Sequence, residues 1–218
     1  SGLRGDEKNP NAIAGRTFKA LAFGDHPYGS NGDGTVESVS ALTRDDLVAA
    51  HKAALARDRL YVAVVGDITE AELGPLLDGL LGELPETGAP MPGAVDVDLK
   101  GGVDIVEFDT PQSVAHFGQA GIERDDDDFF AAYVMNVILG GGGFESRLMT
   151  EVREKRGLTY GVYSYLAPKD KAALYLGSVA SANDRIAEAI SVIRTEWERL
   201  AEDGVTQEEL DKAKALLT

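Results

Sequence analysis

Apolar positions along the chain follow two periods in turn, and their order predicts a mixed fold. Asn9-Pro10 reads as an N-cap with proline at the first helical position, opening a helix to about Ala22. Residues 24–35, GDHPYGSNGDGT, read as a glycine-rich loop. Thr43 caps a second helix, with Asp46 at its third position and Leu42 and Leu47 placed as a hydrophobic staple. LYVAVVGDI (60–68) is a β-branched run of buried-strand type. Thr69 and Glu72 form a capping box before a helix, and Ile68 and Leu73 repeat the staple. In that helix Leu73, Leu76, Leu77, Leu80 and Leu81 share one face.

Residues 85–102, PETGAPMPGAVDVDLKGG, hold three prolines and four glycines and read as a linker. Two strands follow, at about 103–109 and 112–120, then a helix over about 126–139 with the acidic run Asp125–Asp128 at its positive end. After Gly140–Gly143 come a short helix over 145–156 and strands at about 158–166 and 172–180. A long helix from Asn183 keeps Ile186, Ile190, Ile193, Trp197 and Leu200 in register until Gly204, and Thr206 with Glu209 opens a last helix. The expected class is α+β, two layers with helices on a mixed, mainly antiparallel sheet. One strand in the first half cannot satisfy its own ladder, so it pairs with strands outside the chain or with the second-half sheet. The last helix also reaches Thr218 without a cap or breaker. Both features mark the expectation of a fragment.

Composition narrows the function classes. The chain has 218 residues, 44% hydrophobic and 27% charged, which is ordinary globular material. Its formal net charge of −16 repels phosphate backbones and anionic bilayers, which argues against nucleic acid and membrane as partners. The absence of cysteine rules out disulfides, thiolate metal sites and a cysteine nucleophile, and it names no compartment. No apolar run approaches the roughly 20 residues of a membrane span.

His26, His51 and His116 stand in no H-x-x-E-H or H-x-x-x-H spacing, so they read as a loop-fixing, a surface or half-buried, and a strand-packing histidine rather than as zinc ligands. Gly140–Gly143 leave a helix and run into FES, the reverse of a phosphate loop, and read as a helix cap with a tight turn. VVGD (64–67) lacks G-x-G-x-x-G, and Asp125–Asp128 lacks the spacing of a calcium loop. The remaining candidate is ESRLMTEVREKRGLTYGV (145–162). There Leu148, Met149 and Val152 face the core, and Arg153 sits in a last helical turn, where a cation suits the dipole. Seven residues on, Tyr160 opens the next strand. This spacing brings a guanidinium and a phenol to one end of a sheet, as donors to a carbonyl or oxyanion. The plainer alternative is a capping arginine and a packing tyrosine.

FGDHPYG (23–29), LYVAVVGDI (60–68), NVILGGG (136–142), the 145–162 stretch and GVTQEELDKAKALL (204–217) together resemble, in order, the landmarks of the pitrilysin/insulinase family of zinc metallopeptidases, the inverzincins, which include mitochondrial processing peptidase. The resemblance covers essentially the whole chain. It implies two similar α+β domains closed as a clamshell, the first carrying H-x-x-E-H and a distal Glu on zinc, the second lending an Arg and a Tyr across the cleft. Arg153 and Tyr160 match that pair. On this resemblance, residues 1–84 end a first repeat, 85–102 link, and 103–218 begin a second. H-x-x-E-H is absent, and the position of the third zinc ligand falls at Gly2. The resemblance therefore implies a non-catalytic, substrate-binding region with no cofactor of its own. Zinc is expected on a catalytic domain or partner subunit of the same family, the chain being inactive alone. Its implied partners are a peptide or unfolded protein substrate and that zinc-bearing domain or subunit, in a dimer. The rivals are a purely structural, peptidase-derived subunit of a larger complex and a stand-alone ligand-binding module, against which the unpaired first-half strand argues.

Overall fold

The computed structural model describes residues 2–218. In chain order the elements are α1 (Gly2–Asp6), α2 (Pro10–Phe23), α3 (Val36–Ala41), α4 (Arg44–Ala54), α5 (Glu70–Leu81) and β1 (Gln112–Ala120). They continue with α6 (Phe129–Asn136), β2 (Val162–Lys169), β3 (Ala172–Ala182), α7 (Ile186–Asp203) and α8 (Gln207–Leu217). The chain divides into two compact units, Gly34–Pro92 and the remainder.

The larger unit is built on a three-stranded antiparallel sheet of order β1-β3-β2. Gln112 pairs with Ala182 across β1 and β3, and Val162 with Val179 across β2 and β3. The period-2 alternation of β3 sends its residues to two cores. Tyr175 and Val179 face Leu139, Leu148, Val152, Ala189 and Ile193. Ala172 and Leu174 face Ala22 and Phe23 of α2, with Val95, Val97 and Leu99 alongside. The class is α+β, as expected.

Several boundaries differ from the sequence reading, each for a physical reason. The helix expected over 126–139 is α6 followed by a π-helical run, Val137–Gly141. There Gly140 lets the backbone close on β2, because a Cβ would collide with Ser164. Ser164 in turn donates to Asn136 Oδ1 at 2.8 Å, a buried polar tie between helix and strand. The expected helix 145–156 is a 3₁₀ turn, Gly143–Glu145, and a π-helical run, Met149–Glu154. The long helix begins at Ile186, with Arg185 as its N-cap. The strand expected from 158 begins at Val162, so Tyr160 precedes the ladder at a bend. The Thr159 hydroxyl takes the place of a ladder partner there, donating to the Ala180 carbonyl at 2.6 Å and accepting from Gly161 N–H at 3.0 Å.

Residues 103–109, expected as a strand, form no regular element and pair with no strand among the described residues, and Ile105 is 79% exposed. The stretch 85–102 has no regular element. It is nonetheless held at its start by Arg57 N–H on Pro85 O and at its middle by Val95 N–H on Lys171 O, both 2.9 Å.

In the smaller unit, the caps read from sequence are present. Thr43 and Asp46 exchange capping hydrogen bonds, and the Thr69 backbone N–H reaches Glu72 Oε2 at 2.9 Å. The expected strand 60–68 forms no regular element and has no ladder partner among the described residues, with Tyr61 99% exposed. Leu42 and Leu47 of the expected staple, and Leu76 and Leu80 of α5, are also exposed, and Ala56 is the unit's buried residue among those described. The apolar periodicity is there, but the unit covers it only in part: Leu73, Leu77 and Leu81 are half-buried.

Candidate functional site

Arg153 and Tyr160 come from different elements and reach one cavity. Arg153 ends the π-helical run Met149–Glu154, whose Met149 and Val152 are buried and fix its orientation. Its guanidinium lies over the Phe144 ring at 4.7 Å and makes no hydrogen bond or ion pair among the described residues. Tyr160 is 89% exposed, and its phenol is likewise without a partner among the described residues. Both line a cavity of about 540 Å³, together with Gln112, Leu158, Ser181 and Arg185. The structure thus brings together the two residues that the sequence paired, with their donors unspent.

The segment between them is fixed from β3 and the start of α7. Gly157 N–H closes the helix on Arg153 O at 2.8 Å, and Gly157 adopts φ +59°, a conformation that favours glycine at this cap position. Ser181 Oγ donates to Leu158 O at 2.5 Å. Arg185 donates from Nη1 to Gly157 O and from Nη2 to Arg156 O, each at 2.9 Å. With the Thr159–Ala180 bond, these contacts hold the backbone of 156–161 from one side. Sequence reasoning missed Thr159, Ser181 and Arg185. Nothing in SANDRIAEAI marks Arg185, because its role depends on a turn almost thirty residues away in the chain.

The other face of the same helical run is ion-paired. Burial pushes the Glu151 carboxyl up, but hydrogen bonds from Lys155 and Arg156 outweigh it and hold the group below its ordinary range. Arg147 donates to both carboxylate oxygens of Glu209, from Nε at 2.5 Å and Nη2 at 2.8 Å. That bidentate pair holds Glu209 down at about 2. Arg147, Lys155 and Arg156 are therefore neutralised by carboxylates, while Arg153 itself is not.

The histidines lie apart. His26 accepts from Tyr28 N–H at 3.2 Å through Nδ1, and His116 Nε2 sits 2.9 Å from Asn11 Oδ1. Burial lowers the His116 imidazole, with Lys19 adding to the effect. His51 is on α4. Among the described residues no three His, Cys, Asp or Glu side chains gather as a metal site. The donor set does not fit zinc, and no step of chemistry is assigned to a metal on this chain.

Residues 41–217 match the family described as Peptidase M16 inactive domain. A Mycobacterium leprae protein named uncharacterized zinc protease is 35% identical over 219 residues, covering 97% of this chain and 48% of its own length. A Streptomyces coelicolor protein of the same description is 31% identical over 218 residues, covering 95% of this chain and 46% of its own length. The chain thus spans about half the length of these relatives. The crystal structure of a peptidase M16 inactive domain from Pseudomonas fluorescens superposes with a TM-score of 0.91 at 33% identity, covering 99% of this chain and 52% of that one. By sequence and by fold, the chain belongs to the peptidase M16 inactive-domain family, in zinc-protease-like proteins.

Proposed function

We propose that this chain is the substrate-binding, non-catalytic region of an M16-type zinc peptidase. In this reading Arg153 and Tyr160 donate hydrogen bonds to the carbonyl oxygen of the bond to be cleaved and to the oxyanion that forms from it. The hydrolytic zinc centre belongs to another domain or subunit, which the relatives' zinc-protease names support. The carrying observation is that both side chains line one cavity while neither donor is used internally. A buried capping arginine would instead spend its N–H groups on carbonyls, as Arg185 does. Residues 1–84 then close one α+β repeat and 103–218 open the next, and the substrate is an extended peptide or unfolded protein. The zinc-bearing domain or subunit pairs with this chain in a dimer.

A second reading, a purely structural subunit, has one observation in its favour. A Helicobacter pylori relative, 29% identical over 209 residues, is named a non-peptidase homolog. Turnover separates the two. With the full-length protein, its zinc-bearing partner and an unfolded casein substrate, Arg153→Ala or Tyr160→Phe is expected to lower kcat by roughly 10²–10³, the scale of one lost oxyanion donor. The melting temperature should hardly move, because exposed donors add little to folding. Unchanged turnover in both variants would leave only the structural reading.

A further inference from the structure

The cavity that Arg153 and Tyr160 share has a charge opposite to that of the chain. The sequence carries 37 Asp and Glu against 21 Lys and Arg. Around this cavity the balance reverses: two arginines, Arg153 and Arg185, line it with one acidic residue, Glu154. Neither guanidinium has a carboxylate partner among the described residues, although carboxylates are abundant elsewhere. Arg185 spends two donors on the carbonyls of Gly157 and Arg156. A guanidinium has five N–H donors, so three remain, and the two carbonyl bonds hold its plane rigid. A fixed, half-satisfied guanidinium at a cavity wall matches a carboxylate, which takes two parallel N–H bonds in that geometry.

We infer that Arg185 recognises a carboxylate on the bound peptide, supplied either by a free C-terminus or by an Asp or Glu side chain. The inference takes from the proposed function only that a peptide lies in this cavity. Arg185 then sets specificity and does not touch the reacting bond. In an acidic chain, this makes the cavity the place where an acidic group is tolerated and preferred, and long-range repulsion is overcome by short-range pairing.

Binding, read separately from turnover, tests this. Three fluorescent ten-residue peptides of neutral sequence would be titrated by anisotropy into the full-length protein. One has a free C-terminal carboxylate, one a C-terminal amide, and one an amide plus a single central Glu. The wild-type protein should bind at least one carboxylate peptide about tenfold more tightly than the neutral one, the scale of a charge-assisted hydrogen bond. Whichever carboxylate peptide is preferred identifies the source. Arg185→Gln should bring the ratio close to one. Arg185→Lys, which keeps the charge but loses the fork, should leave a reduced preference, and it carries the test if Arg185→Gln loosens the 156–157 turn. A wild-type protein that binds all three peptides equally overturns the inference, as does a preference that survives both substitutions. Failure of the catalytic reading looks different: Arg153→Ala would leave turnover intact while the Arg185-dependent preference persists. No binding of any peptide overturns both.

Discussion

Leu148 and Arg153 stand five residues apart on one helical run and are held by opposite physics. Leu148 is fully buried against the sheet, in the cluster with Val152, Val162 and Val179. Arg153 keeps its guanidinium over a ring at the edge of a cavity. Leu148→Ala should therefore destabilise the chain by about 2–5 kcal/mol through the cavity that it leaves. Urea denaturation checks the figure, and a loss below about 1 kcal/mol would mean that this core rearranges freely around the gap. Measured beside Arg153→Ala, it separates a residue that holds the fold from one that the fold holds. If both lower the melting temperature equally, Arg153 is a cap, and its proposed role fails.

Elements here are tied to one another by a few charged and polar contacts. Arg147, just ahead of the π-helical run, grips Glu209 in the first turn of α8 and also donates to Gly204 O at 2.9 Å. Side chains 12% and 28% exposed make this a partly desolvated pair. Glu209 is held at about 2 against an ordinary 4.5, so its folded value is depressed. Its contribution is then fully present above pH 4.5 and is lost as pH falls through about 2. Glu209→Gln should cost about 1.5–3 kcal/mol at neutral pH, the scale of hydrogen bonds to charged groups, with the difference from wild type shrinking as pH falls from 4.5 towards 2. Denaturation midpoints across that range test the sign. A difference that stays constant with pH would remove the ion pair as its cause.

At the scale of the whole molecule, two apolar segments without a ladder partner stand out. Residues 60–66 and 103–109 carry β-branched sequence yet find no ladder among the described residues, and Val65 and Ile105 stand in the open. Unpaired apolar strands are sites of association. Backbone amides of 60–66 in the chain alone should exchange with solvent almost unprotected, and should become protected by at least about 10²-fold in the full-length protein. Hydrogen exchange read by mass spectrometry decides it, and equal protection in both would refute the reading that these strands belong to a sheet completed elsewhere. The chain alone should also retain no stoichiometric zinc after dialysis and cleave no unfolded protein, since its described residues offer no ligand cluster. Chelator-sensitive proteolysis by the chain would overturn that.

The sequence by itself determined what depends on neighbours in the chain. Caps at Asn9, Thr43, Thr69 and Thr206, the buried face of α7, and the class of the fold all follow from spacing over one or two turns. It also singled out Arg153 and Tyr160, because seven residues across a helix end and a turn are a local geometry. Their shared cavity, the start of β2 at Val162 rather than near 158, and the part played by Arg185 were settled by tertiary structure alone. Each depends on β3 lying beside the 156–161 segment, so that Ser181, Ala180 and Arg185 meet carbonyls and a hydroxyl twenty or more residues earlier. Periodicity reports which side of an element is apolar. It carries no information about which distant backbone group will sit opposite, and that pairing is what turns a charged helix end into a cavity wall with free donors.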